Sequence, residues 1–417
     1  MYQDNINLCI VLLVTLIFIT TISARRYVRV LALESFNRKE IYSTPTAKKI
    51  HGRENHLTPL KSRSSQNESL QQTFGIQNAF TSAEEGYVKE FVKMSRGLVN
   101  ISSDSWDIIA STTQDAVERW KSDVQGACES RFEVELVPIV QSLTLNAVLT
   151  ALFFLKKEAA TKGVPFKALT KLAKAINDSW IMSKQKDTLI AFEHNDQLRT
   201  ALIEVLPDEN ISNPRENPLN LILPGFETMW RIVLRCFLEV AYKTGKAHSN
   251  WKEALVNYSE KPTAEQFKRV FLPDRVSANS LVKEALRLYP PTKRIHRAWR
   301  EASSPKPKEV AGDIEACHLS TSIWGLTAGQ FDPSRWEKVT REQEEAFLPF
   351  GSKPFECPAK PLFGPRLVGL LVGTLLSAFS HDLTLVSVYG DTVEFGTKRL
   401  NNERSGCYDL YLELVRN

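Results

Sequence analysis

Three groups of side chains in this chain have types and spacings suited to chemistry. Cys357 lies in LPFGSKPFECPAKPLFGPR, where Pro349, Gly351, Pro354, Pro358 and Pro361 exclude a helix and hold a stiff loop. Gly364–Pro365 then opens an apolar helix. A thiolate close to a helix N-terminus is favoured by the positive end of the helix dipole, a setting that suits an anionic metal ligand. A lone cysteine is more often a small buried hydrophobe, and only the loop around Cys357 shifts that balance. Glu284 and Arg287, three apart in EALRLYPP, share one helix face. Glu227 and Thr228 adjoin inside LNLILPGFETMWRIVLRCFLEVAY, an acid and a hydroxyl able to order water and pass protons. Taken singly, the last two groups have plainer readings: a modest surface pair, and two polar residues facing a neighbouring helix.

The elements that must position these groups follow from periodicity. From about Ser82, apolar residues recur at three- and four-residue spacing over 83–98, 105–121, 133–156, 165–185 and 196–206, which predicts helices. Pro207, Pro214 and Pro218 mark a loop. Residues 219–242 are apolar on nearly every face and predict a buried central helix. Glu227, Arg231 and Arg235 in its middle make it costly as a membrane span. Pro224–Gly225 near its start predicts a distortion. Further helices are expected at 277–289 and 365–379, a loop at 346–360, and strands over the alternating stretch 382–415. The chain is therefore expected to be mainly α with minor β.

Composition narrows the function classes. Hydrophobic residues make up 43% of the 417 and charged residues 24%, the balance of a globular chain. A net charge of +5 is mild, and no basic stripe is interleaved with aromatics, which argues against a nucleic-acid partner. The six cysteines are scattered with no Cys-x-x-Cys pair, which argues against a zinc site or a disulfide framework. Residues 8–23, LCIVLLVTLIFITTIS, are uncharged and followed by Arg25, Arg26 and Arg29. They read as a membrane anchor over 1–24 that keeps the rest of the chain cytosolic. A cleaved signal peptide is the alternative, with Ser23–Ala24 as its only cut-like feature. The polar stretch 25–73 reads as a tether with short or irregular structure.

The three groups occur in a fixed order, with FDPSRW between the second and third. A buried helix bearing Gly225-x-Glu227-Thr228, then Glu284-x-x-Arg287, then Phe350 seven residues ahead of Cys357, resembles the cytochrome P450 family. EALRLYPPTKRIHRAW, FDPSRW and FGSKPFECPAKPLFGPR look particularly like its membrane-bound fungal members that tailor natural products. The resemblance is strong over 219–380 and weaker over 74–218. It implies a cytochrome P450-like haem-thiolate fold over 74–417, N-terminally short, behind the membrane anchor. Cys357 is then the thiolate ligand of a haem iron, with Phe350 packed beside it on the loop that includes Gly351. Glu284 and Arg287, joined by Arg335, support that loop structurally. Glu227 and Thr228 lie above the distal haem face and deliver protons, and Gly225 relieves crowding there. Arg294 or Arg297, with His296 between them, contacts a haem propionate.

The chain departs from the family pattern at Lys353, Phe355 and Ala359, where Gly, Arg and Gly are usual. The family's Trp-x-x-x-Arg is matched only by Trp120, with Val124 at the Arg position and Arg131 nearby. The resemblance implies a monooxygenase acting on a lipophilic small molecule, a terpenoid or polyketide intermediate of secondary metabolism. It implies a single-pass protein of the endoplasmic reticulum membrane and an NADPH-cytochrome P450 reductase as partner, with Lys353, Lys360 and Arg366 as basic contacts. A non-redox cyclase or isomerase of the same fold, and an inactive membrane-tethered scaffold, are the alternatives.

Overall fold

The computed structural model describes residues 40–43, 56–125, 131–155, 163–185, 189–300, 306–379 and 384–415. The anchor expected at 1–24 and most of the tether lie outside them. The described end of that tether holds short helices. Helix α1 spans Pro59–Ser64 and α2 spans Glu68–Phe74. Thr58 caps α1 by accepting from the Lys61 N–H at 3.2 Å, and Pro59 sits where the first turn needs no donor. Helix α2 ends at Gly75, whose φ of 58° is left-handed.

The predicted helices form as α3 (Glu85–Val99), α4 (Ser103–Gln125), α5 (Leu136–Leu149), α6 (Phe166–Met182) and α7 (Asp196–Val205). They continue as α8 (Leu219–Ala241), α10 (Ala278–Leu288) and α11 (Phe363–Ala378), and a further helix that was not expected, α9 (Ser249–Glu260), lies between α8 and α10. Helix α8 is the centre of the fold, packed on α5 and α11, with α11 lying against α9. Trp230, Phe226 and Phe237 of α8 are fully buried. Each large apolar side chain buried this way contributes about 1.5–3 kcal/mol. Helix α5 and its π-helical extension to Phe154 are long and apolar enough to cross a membrane, but 83% of that span is buried inside the protein.

Helix α8 continues through Pro224 without ending there. Proline cannot donate to the carbonyl four residues earlier, that of Asn220, and Asn78 Nδ2 lies 3.5 Å from that oxygen instead. Gly225 faces α5 rather than an open site, since a Cβ there would stand 3.1 Å from Val148. Gly373 lets α11 approach α9 so closely that a Cβ would meet the Leu255 carbonyl at 2.1 Å.

The minor β component is two three-stranded sheets. One has the order β1–β4–β3, from Glu40–Ser43, Lys308–Asp313 and Arg294–Trp299, with β1 parallel to β4 and β3 antiparallel. The other is antiparallel, β2–β6–β5, from Arg131–Glu135, Leu410–Val415 and Thr384–Ser387. Between the last two strands the chain is loop and turn, so 382–415 is only partly strand.

Candidate functional site

Glu284 and Arg287 are on the buried face of α10, whose start is fixed by a capping box between Ser277 and Ser280. Both side chains are fully buried, so the plain surface-pair reading does not hold. Arg287 Nε and Nη2 donate to the two Glu284 oxygens at 2.9 and 2.7 Å. Arg335 Nε reaches Glu284 Oε1 at 2.9 Å, beside the Asp332 backbone N–H at 3.0 Å. Trp336 Nε1 donates to Oε2 at 3.0 Å. Arg287 spends its remaining donors on the carbonyls of His318, Ala328 and Gln330. A charge taken out of water is tolerable only with this degree of satisfaction. The trio expected from the sequence is thus one network, and it also gathers the chain over 318–336.

His318, which the sequence reading did not single out, links that network to the cysteine loop. It is fully buried at the end of the short helix Ile314–His318. Its Nδ1 lies 3.0 Å from the Arg287 carbonyl, which can only accept, so Nδ1 carries the proton. Its Nε2 accepts from the Leu348 backbone N–H at 2.9 Å, so the ring is neutral. Burial, with Arg287 nearby, lowers its pKa to about 3. Below about pH 6.5 the unfolded chain takes up a proton that the folded ring refuses. Stability contributed by His318 is therefore complete above 6.5 and falls as pH drops from 6.5 toward 3, by at most about 1.4 kcal/mol per pH unit. Urea midpoints from pH 7.5 to 5 should fall more steeply for the native chain than for His318→Asn. Parallel slopes would remove His318 from this account.

Leu348 leads into the loop that carries Phe350, Gly351 and Cys357. The Cys357 backbone N–H donates to the Phe350 carbonyl at 2.9 Å, and its own carbonyl accepts from Lys360 at 3.2 Å. Gly351 turns the chain at φ 70°, a left-handed conformation that suits glycine. Phe350 packs on the start of α11, where a Cβ on Gly364 would come within 2.9 Å of its ring. Burial raises the Cys357 pKa, partly offset by a hydrogen bond from the Ala359 backbone. Lys353 is exposed, and Lys360 pairs with Glu356 at 2.5 Å. Arg366 is not a surface base: it is buried, bonds Tyr258 and the Pro262 carbonyl, and stacks on Trp106.

Phe355, two residues before Cys357, is flanked by arginines. Arg63 of α1 stacks on its ring at 3.8 Å and Arg297 of β3 lies 5.4 Å from it. Strand alternation separates the two arginines named for this strand. Arg297 faces the loop, whereas Arg294 is exposed and bonds Asp313 at 3.1 Å, and His296 bonds Glu309 at 2.6 Å. Trp120 packs on Phe166 and Phe379 in the core.

Glu227 and Thr228 are each engaged. Thr228 donates back to the Pro224 carbonyl at 3.0 Å. Glu227 is 2% exposed and ion-paired with Arg404, which also donates to Asn177 at 2.7 Å. Burial raises the Glu227 pKa and Arg404 opposes the rise. Its Oε1 is buried with no hydrogen-bond partner. One and two turns further along α8, Arg231 and Arg235 bond the carbonyls of Asn402, Asn401 and Glu403. This charged stripe of α8 is therefore sealed by the 401–404 segment. Arg404 was invisible in the sequence because nothing local marks a partner 177 positions from Glu227.

Residues 246–389 match the family model for cytochrome P450. The chain is 29% identical over 129 residues to a cytokinin hydroxylase of Arabidopsis thaliana, covering 30% of this chain and 24% of that protein. It is 25% identical over 216 residues to (S)-N-methylcoclaurine 3'-hydroxylase isozyme 1 of Papaver somniferum, covering 46% and 42%. It is 39% identical over 64 residues to the cytochrome P450 monooxygenase azaI of Aspergillus niger, covering 15% and 13%. The matched stretches thus span less than half the length of these relatives. The mainly helical fold with a few strands is consistent with that family, whose cofactor is a haem iron held by a cysteine thiolate.

Proposed function

We propose that this chain, a relative of the cytochromes P450, is a haem-thiolate monooxygenase that oxidises a lipophilic small molecule. Its substrate class is a terpenoid or polyketide intermediate of secondary metabolism. Its electrons come from NADPH through a cytochrome P450 reductase. Residues 1–24 hold it in the endoplasmic reticulum membrane as a single pass, with the catalytic domain in the cytosol.

The observation that carries this reading is the setting of Cys357. Its sulfur faces a backbone N–H at Ala359, on a loop pinned by Phe350 and, through Leu348 and His318, by the Glu284–Arg287–Arg335 network. The donor set fits a thiolate-held haem. The one thiol on this loop stands by Phe350, and two arginines lie at the neighbouring Phe355. A thiol whose pKa is raised by burial is deprotonated when a metal cation coordinates it. When bound, such a haem supplies dioxygen activation for substrate oxidation. In this reading Cys357 holds the iron, Phe350 and Gly351 shape the loop, and Glu284, Arg287 and Arg335 keep it rigid. Glu227 is the proton-relaying acid once its bond to Arg404 opens, and Thr228 is its neighbouring hydroxyl.

The test is a reduced, carbon-monoxide difference spectrum of the expressed full chain, followed by turnover assays with and without NADPH and reductase. A Soret band at the position of thiolate-ligated ferrous haem is expected, and substrate oxidation should require both. Folded protein with no haem would overturn the reading. A non-redox cyclase or isomerase of the same fold is the second reading. It is favoured by one observation, the ion pair that ties Glu227 to Arg404. It expects haem together with turnover that needs neither NADPH nor reductase.

A further inference from the structure

The gap between α8 and residues 401–403 holds more positive charge than the groups around it neutralise. Arg231 and Arg235 stand four residues apart, on one face of the helix. Arg231 Nη2 donates to the Asn402 carbonyl at 2.9 Å, and Arg235 Nη2 donates to those of Asn401 at 3.2 Å and Glu403 at 2.5 Å. Three consecutive carbonyls divided in this way put the two guanidinium groups side by side. Arg235 is fully buried and Arg231 is 9% exposed. Among the described residues neither forms an ion pair, because the nearby acids are engaged elsewhere: Glu227 with Arg404, and the Glu403 carboxylate with Lys293. Burial, with Arg404 and Arg235 adding repulsion, lowers the Arg231 pKa to about 10. Buried polar atoms without partners also gather here: Arg231 Nε and Arg235 Nη1 among donors, Glu227 Oε1 and Asn402 Oδ1 among acceptors. Water can serve all four atoms, but it cannot neutralise two desolvated cations, and the carbonyl contacts offset only part of that cost.

We propose that Arg231 and Arg235 hold a small inorganic anion, of halide size, in this gap, with Arg231 Nε and Arg235 Nη1 as its donors. A compact ion suits the site better than an organic acid, because the 401–403 backbone already lies within hydrogen-bond distance of both guanidinium groups. The ion offsets the repulsion between the two arginines and so fastens the 401–404 segment, Arg404 included, against the helix that carries Glu227. The site uses no residue of the cysteine loop and does not depend on the haem reading.

The experiment follows urea unfolding of the full chain as chloride replaces gluconate at constant ionic strength, in the native protein, Arg235→Met and Arg231→Met. One ion bound only by the folded state lowers the unfolding constant about tenfold for each tenfold rise in free chloride above its dissociation constant. That dependence is expected in the native chain, with bromide acting like chloride. It should vanish in Arg235→Met and weaken in Arg231→Met. Crystals grown in bromide should show an anomalous-scattering peak between the two guanidinium groups. An unfolding constant indifferent to chloride in the native chain would overturn the proposal and leave the gap to water. A chloride dependence that survives undiminished in both variants, or bromide found only at other places, would overturn it equally, by assigning the effect to surface cations. If neither variant folds by circular dichroism, the native titration and the bromide position decide.

Discussion

Cys357→Ala is expected to leave a folded protein whose carbon-monoxide spectrum has no thiolate-type Soret band. The two halves of that expectation have separate physical grounds. The loop is held through backbone groups, the Cys357 N–H on the Phe350 carbonyl and the Lys360 N–H on the Cys357 carbonyl, and alanine keeps both. What is removed is one half-buried sulfur, a packing loss on the order of 1 kcal/mol. If Cys357 is the ligand proposed for the iron, its removal takes away the whole of that bond, so the spectral effect is complete rather than graded. Cys317 is the control. It is buried and its sulfur lies 3.6 Å from the Ala346 carbonyl, so Cys317→Ala should keep the band. A thiolate band that survives in Cys357→Ala, or disappears in Cys317→Ala, would move the ligand elsewhere.

Glu284→Ala should destabilise the fold by about 3–5 kcal/mol, the range for leaving one partner of a buried pair uncompensated. Arg287 is fully buried and would keep its charge against three carbonyls alone. Trp336 Nε1 and the Asp332 N–H would lose their acceptor at the same time. The consequence extends beyond stability, because the His318 carbonyl is held by Arg287 and the His318 ring holds Leu348. Haem occupancy should therefore fall along with the urea midpoint. Glu284→Gln retains an acceptor but not the charge and should lie between the two. A midpoint for Glu284→Ala within about 1 kcal/mol of the native chain would show that the network does not support the fold in this way.

Much of this architecture is legible in the residue order, and the parts that are not have identifiable causes. The helix expected at 277–289 is found at Ala278–Leu288 because its apolar spacing and its serine cap are local signals. Glu284 and Arg287 meet because a helix brings residues three apart together, but their full burial depends on segments from 318 to 336. Arg294 and Arg297 could not be separated from composition, since only the register of β3 decides which faces Phe355. Arg366 looked like a surface base and is buried because Trp106, Tyr258 and the Pro262 carbonyl, all distant in sequence, surround it. Pro224 lies inside α8 without ending it, and the carbonyl its ring cannot serve, that of Asn220, is met by Asn78 from another part of the chain. His318, Arg404 and Arg63 have no local signature, because their roles come from tertiary partners.

The sheet of β2, β6 and β5 has a consequence for how the protein is made. Its middle strand is β6, so residues near 131 find their ladder partners only about 280 positions later, as the 276-residue separation of Tyr411 from Glu135 shows. The same late stretch, 401–404, supplies the partners of Glu227, Arg231 and Arg235. During synthesis the central helix must leave the ribosome with three ionisable groups whose partners follow 166 to 177 residues later. Such long-range closure is slow and leaves unpaired strands and apolar helix surface open to aggregation. Nascent chains stalled before residue 400 should remain protease-sensitive throughout α8 and bind chaperones that recognise exposed apolar helices, whereas chains released past β6 should become resistant in a single step.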